Sequence, residues 1–122
     1  MQHAAAQTYK NVANETANAR ELEANLLLKS AARIQSIRDG WGDRKAELGD
    51  ALLFNRKLWT IFLDSILRDD NPLPIEVRKN VYSLSVFVIN RTIKLAGDPQ
   101  PEGLGSLINI NRQLAAGLLG RS

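Results

Sequence analysis

Cysteine is absent from the 122 residues. That removes both a disulfide framework and thiolate metal ligation, and nothing argues for an oxidising compartment. Histidine occurs once, as His3, in a polar, Ala-rich N-terminal stretch where neither an oriented general base nor a metal ligand is expected. No His-based catalytic triad can be assembled, and no Gly-rich phosphate loop of the Walker or Rossmann kind is present. Gly103-Leu104-Gly105 lacks the preceding strand that would give its glycines such a role. Long apolar runs are missing too. The longest, Ala51–Phe54 and Val86–Ile89, fall far short of the roughly 20 residues that cross a bilayer. The start, Met1-Gln2-His3-Ala4-Ala5-Ala6-Gln7, has neither the basic opening nor the apolar stretch of a secretory signal. A cytoplasmic, non-enzymatic protein with no cofactor, no metal and no membrane insertion is the expectation.

Charge of one sign is also scarce. The pI of about 9.5 rests on 16 Lys and Arg against 13 Asp and Glu. The longest basic runs, Arg44-Lys45, Arg56-Lys57 and Arg78-Lys79, have acids such as Asp43, Glu47, Asp50 and Glu76 close by. Counterion release from a nucleic acid needs several clustered cations, so a solvated mixed-charge surface is the reading and no DNA partner is expected. Asp69-Asp70 reads as a solvated turn, since no set of six or more oxygen ligands is spaced around it for a cation.

What is present is helical periodicity. At 44% hydrophobic and 24% charged, the chain has the composition of a folded domain, and its length predicts one domain with one core over 1–122. Residues 1–17, with Tyr9 and Val12 as their large apolar groups, form an arm that is either a short docked helix or frayed. From Thr16 or Asn18 as N-cap, a first helix is predicted to Asp39: acids Glu21 and Glu23 come early, Arg33 and Arg38 late, and Gly40 stands just beyond. Ala24, Leu27, Leu28, Ala31 and Ile34 share one face and Leu22, Leu26 and Ile37 another, which predicts broad burial. Gly40-Trp41-Gly42 is a turn with Trp41 folded back over the helix ends.

A second helix is predicted over about 43–68, with Leu48, Ala51, Leu52, Leu58, Trp59, Phe62, Leu63 and Ile66 on one core stripe. Asp69-Asp70-Asn71-Pro72-Leu73-Pro74 ends it, because proline drives the preceding residue out of the α region. The third helix, about 75–96, contains the alternating stretch Tyr82–Val86 but is too long for a strand. Its stripes are Val77, Val81, Leu84, Val88 and Leu95 on one side and Tyr82, Val86, Ile89 and Ile93 on the other. Two apolar faces mean either a central place in the bundle or one face kept for a partner. After Gly97-Asp98-Pro99-Gln100-Pro101 a last helix runs to about Leu119, with Leu104, Leu107, Ile108, Leu114, Ala115 and Leu118 as its stripe. The fold class is all-α, a compact bundle of about four main helices with a possible short N-terminal one.

Asn-Arg recurs at Asn55-Arg56, Asn90-Arg91 and Asn111-Arg112. Asn55 and Asn111 fall within apolar stripes, where an unpaired amide costs on the order of 1–3 kcal/mol. They are read as fixing helix register by bonding each other, a backbone carbonyl or a loop, rather than as lining a groove for a partner. Helical spacing puts Trp59 and Phe62 in the core, while Phe54 and Ile61 lie beside the main stripe. Phe54, Ile61, Tyr82, Val86, Ile89 and Ile93 are the candidate partner-binding residues.

Three blocks carry a family resemblance: Glu21–Ala24 with Leu26–Lys29 and Ala31–Arg33, then Asp50–Phe62 continued through Asn71-Pro72-Leu73-Pro74, and finally Leu107–Leu118. Over about residues 7 to 119 the chain resembles the FlaF family. The resemblance implies a cytoplasmic protein of alphaproteobacterial flagellar systems that binds flagellin as an export chaperone, promotes flagellin production and opposes the translational regulator FlbT. It carries over no catalytic residue and no map of a binding surface. The competing class is a post-transcriptional regulator in which Arg56, Lys57, Arg78, Lys79, Arg91 and Lys94 grip flagellin messenger RNA directly or act through FlbT. A third is a structural subunit that self-associates through the third helix.

Overall fold

The computed structural model describes residues 2–120, with side chains from Asn18 onward and at Ala4, Ala6, Gln7 and Asn11. Helix α1 spans Gln2–Asp39, α2 Trp41–Arg44, α3 Leu48–Ile66, α4 Ile75–Gly97 and α5 Leu104–Leu118, with 3-10 turns at Lys45–Glu47 and Pro101–Gly103. Among the described residues there is no strand, so the all-α bundle of four main helices predicted from periodicity is the architecture observed.

The N-terminal arm is helical but is not a separate helix. The 38 residues of α1 run unbroken through Thr16 and Asn18, and neither caps anything. Once packing has nucleated the helix, each residue added upstream forms one more hydrogen bond at small cost, and an Ala-rich sequence favours that propagation. The side chains from Asn18 to Leu22 are exposed, and inward packing starts at Ala24. Any docking through Tyr9 or Val12, and any role of His3, falls on side chains outside the described residues. Burial in α1 is one stripe, Ala24, Leu27, Ser30, Ala31, Ile34 and Ile37; Leu22 and Leu28 face solvent.

The predicted second helix is divided. Trp41 begins the short α2 and packs partly buried against the core. At Arg44 the backbone leaves the helical region (φ −114°, ψ 2°), while its guanidinium donates to the two Glu47 carboxylate oxygens at 2.7 and 3.0 Å and to the Ser36 hydroxyl of α1. The hydrogen bond from Arg44 holds the Glu47 carboxyl below its ordinary pKa. Beyond this break, α3 buries Leu48, Ala51, Leu52, Asn55, Leu58, Trp59, Phe62 and Ile66, with the Trp59 and Phe62 rings edge to face at 5.6 Å.

The loop to α4 is tied by Asn71, whose amide donates to the Ser65 carbonyl at 3.0 Å and whose Oδ1 accepts from the Leu73 N–H at 3.0 Å. Arg78 then reaches back from α4. Its guanidinium donates to the carbonyls of Ile66 and Arg68 at 2.8–3.1 Å, satisfying acceptors that the end of α3 leaves open. The last helix ends at Gly120, which takes φ 72°, the left-handed conformation that glycine adopts without strain.

Helix α5 lies against α1, α4 lies against α3, and the two pairs meet mainly through α1 and α3. α4 is therefore peripheral, which settles which of its faces goes inward. The buried residues are Ser85, Val88, Thr92 and Leu95, whereas Val77 and Leu84, predicted to join the core stripe, are exposed. The two hydroxyls enter the interface because each is satisfied within its own helix: Ser85 donates to the Val81 carbonyl at 2.7 Å and Thr92 to that of Ile89 at 2.8 Å. Their small size lets α4 approach α3 closely.

Candidate partner-binding surface

A polar cluster inside the bundle sets the frame for the surface. Asn55 and Asn111 are fully buried and bond each other, Asn111 Nδ2 donating to Asn55 Oδ1 at 2.7 Å. The same Asn55 oxygen accepts from the Ser30 hydroxyl at 2.9 Å. Asn111 Oδ1 accepts from the Trp59 indole N–H at 2.8 Å, and Asn111 Nδ2 also reaches the Leu27 carbonyl at 3.3 Å. Three helices are thereby cross-linked at one level. Asn55 Nδ2 alone is left without a partner. Neither amide reaches the surface, so this cluster holds the scaffold and lines no groove. Of the third Asn-Arg pair, Asn90 is exposed.

On α4, Ile75, Tyr82, Val86, Ile89 and Ile93 fall along one flank of the inward face. Ile89 is partly buried against the core. The others are exposed, Ile75 at 58%, Tyr82 at 47% and Ile93 at 50%. This flank borders α3. Near the start of α4, Ile75, Arg78, Lys79 and Tyr82 enclose with Ile66 and Leu67 a hollow of about 370 Å³. Near its end, Thr92 and Ala96 enclose with Leu52, Leu53 and Arg56 a second hollow of about 200 Å³. Val86 and Ile89 lie between the two hollows along α4 and Ile93 stands beside the second, so the groove between α3 and α4 is two separate hollows with an apolar stripe along the same flank, on a helix of 23 residues, about 34 Å long at 1.5 Å per residue.

Phe54 and Ile61 lie elsewhere. Helical phase puts them on the side of α3 away from Arg56 and Leu67, where Phe54 is half-buried on the core and Ile61 is 63% exposed. The six candidates thus divide into four along the groove and two on the far flank of α3. Ile75, Leu53 and Leu67 were missed. Carrying the spacing of Tyr82, Val86, Ile89 and Ile93 back past Lys79 reaches Ile75; nothing local in the sequence marks Leu53 or Leu67, because only packing makes them neighbours of α4.

The six cations of the RNA alternative are dispersed. Arg78 caps α3, Arg91 lies over the Phe87 ring at 5.2 Å, Arg56 and Lys79 edge the groove, and helical phase sends Lys57 and Lys94 outward. Among the described residues no three His, Cys, Asp or Glu side chains gather, and no helix is long and apolar enough to cross a membrane. A hollow of about 470 Å³ between Gly42 and Pro99 has Asp43 and Lys45 as its only charged lining.

Compared with protein families, the chain matches the model of the flagellar protein FlaF over residues 5–118. It belongs to the FlaF family. The match takes in nearly all of α1 and the whole of α3, α4 and α5, so both the buried amide cluster and the groove lie inside the FlaF region, and the role of the chain is a flagellar one. Neither the curated proteins nor the solved structures contain a match.

Proposed function

We propose that this FlaF-family protein is a non-enzymatic regulator of flagellar assembly that binds flagellin in the cytoplasm, acting as an export chaperone and promoting flagellin synthesis and secretion in opposition to FlbT. The observation that carries the reading is the apolar flank of α4, Tyr82, Val86 and Ile93, left exposed beside α3. Unpolymerised flagellin ends are amphipathic helical segments, and an open apolar groove between two helices is the surface on which such a segment docks. The dispersal of the cations supports this over direct grip of messenger RNA, which needs a one-sided basic track.

The test is calorimetric titration of the protein with monomeric flagellin, full-length and with each helical end removed, at two salt concentrations. Salt-insensitive binding is expected that vanishes with one truncation and weakens at least about tenfold in the double variant Tyr82→Asp, Ile93→Asp. No flagellin binding at either salt, joined to salt-steep binding of flagellin leader RNA, would replace this reading with the post-transcriptional one.

A further inference from the structure

The α3–α4 groove has a charge character as well as an apolar one. Its two hollows are lined by Arg56, Arg78 and Lys79 and by no acid. Arg78 is committed to the carbonyls that end α3. Arg56 and Lys79 are exposed, and among the described residues the ion pairs are Arg38 with Asp39 and Arg44 with Glu47, so neither groove cation has a carboxylate. Of the acids along the two helices, Asp50 and Glu76 are turned by helical phase to the outer faces, while Asp64 shares the phase of Leu53 and lines neither hollow.

Lys79 stands in a place of its own. Ile75, Lys79, Tyr82, Val86, Ile89 and Ile93 keep the alternating four- and three-residue spacing of a helix-pairing seam, with the ammonium at one seam position. Arg56 borders the groove opposite Thr92, so the two free cations mark sites separated by about 20 Å along α4, from Lys79 to Thr92. We infer that the groove selects an amphipathic helix whose flanks carry carboxylates, two of them about 20 Å apart, and that it rejects basic helices and a second copy of this chain. This rests on the partner-binding reading of the groove. Two copies packed groove to groove would bring Arg56 and Lys79 of both into one seam with no acid between them, which like-charge repulsion disfavours. An RNA strand would cross an exposed apolar stripe with only two free cations to meet its phosphates.

The probe is a pair of synthetic helical peptides of about 22 residues, matched to the length of α4. They share one Leu/Ile stripe in three–four spacing and differ only in Glu or Lys at the flanking positions. Anisotropy titrations are run at about 0.05 M and about 0.5 M salt, either side of the range where exposed charges are screened. The Glu peptide is expected to bind about tenfold more tightly than the Lys peptide at low salt, with the ratio falling toward one at high salt. Arg56→Gln with Lys79→Gln removes the preference and Arg56→Glu with Lys79→Glu reverses it; both pairs lie on exposed side chains, and circular dichroism checks their folding.

Equal affinity for the two peptides at low salt overturns the inference, as does preference for the Lys peptide, binding of neither, or a dimer in sedimentation that Tyr82→Asp with Ile93→Asp dissolves. Flagellin titrated against the same variants separates the two readings. A peptide preference without flagellin binding keeps the groove chemistry and removes flagellin. Flagellin binding indifferent to Arg56→Glu with Lys79→Glu keeps flagellin and removes the charge selection.

Discussion

Replacing Asn111 with alanine tests the buried amide cluster directly. The substitution removes the acceptor of the Trp59 indole N–H, 2.8 Å away, and the donor to Asn55 and Leu27. Trp59 is fully buried, so no water replaces the lost partner, and an orphaned donor of this kind costs about 1–3 kcal/mol. The void left by the amide adds about 1 kcal/mol. Asn111→Ala is therefore expected to destabilise by about 2–4 kcal/mol, a large fraction of the about 5–15 kcal/mol that holds a domain together. Asn55→Ala is expected to cost about 1 kcal/mol less, because it also deletes the unpaired Asn55 Nδ2 and frees the Ser30 hydroxyl to bond back within α1, as Ser85 does within α4. Urea unfolding followed by circular dichroism and by tryptophan fluorescence measures both. A loss under about 0.5 kcal/mol for Asn111→Ala, or an Asn55→Ala loss at least as large, refutes the reasoning.

Arg78→Ala removes the charged donor that caps the end of α3 from a half-buried position, and a loss of about 1–2 kcal/mol in the same urea assay is expected. Tyr82→Asp with Ile93→Asp, by contrast, alters exposed side chains and is expected to leave stability within about 0.5 kcal/mol of the parent; a larger loss would place these residues in the core. Glu23 borders an apolar hollow with Phe62, Ile66, Val81 and Leu118. Burial raises its pKa above the ordinary 4.5, and Arg20 offsets part of that. A carboxyl whose folded pKa is raised binds more protons folded than unfolded, so stability falls as pH climbs through the raised value. Glu23→Gln is expected to be more stable than the parent at neutral pH, with the gap closing below pH 4.5; a gap that persists at low pH refutes the assignment.

The elements and their stops were legible in the residues because their causes are local. Pro72 and Pro74 break the chain wherever they stand, Gly120 closes α5, and the 3.6-residue period of α3 and α5 identifies nearly every side chain those helices bury. Local rules also explain the misreadings of the helix boundaries. Thr16 and Asn18 suit an N-cap, but a capping residue ends nothing when the helix upstream is already extended from a packed segment. The division of the second helix came from Arg44 binding Ser36 and Glu47, a contact that requires α1 to lie alongside.

Sequence by itself determined that α4 has two apolar flanks, that Asn55 and Asn111 sit among leucines, and that the chain carries the FlaF pattern. Tertiary structure decided which face of α4 goes inward. With α3 as its main neighbour, α4 has only one face to bury, and it gave that face to Ser85, Val88, Thr92 and Leu95. Periodicity ranks faces by apolarity and cannot see that two hydroxyls satisfied by their own helix, on short side chains, pack closer than Val77 and Leu84. The pairing of two amides 56 residues apart was likewise a matter of how three helices meet, since hydrogen-bond partners are chosen by position in space and not along the chain.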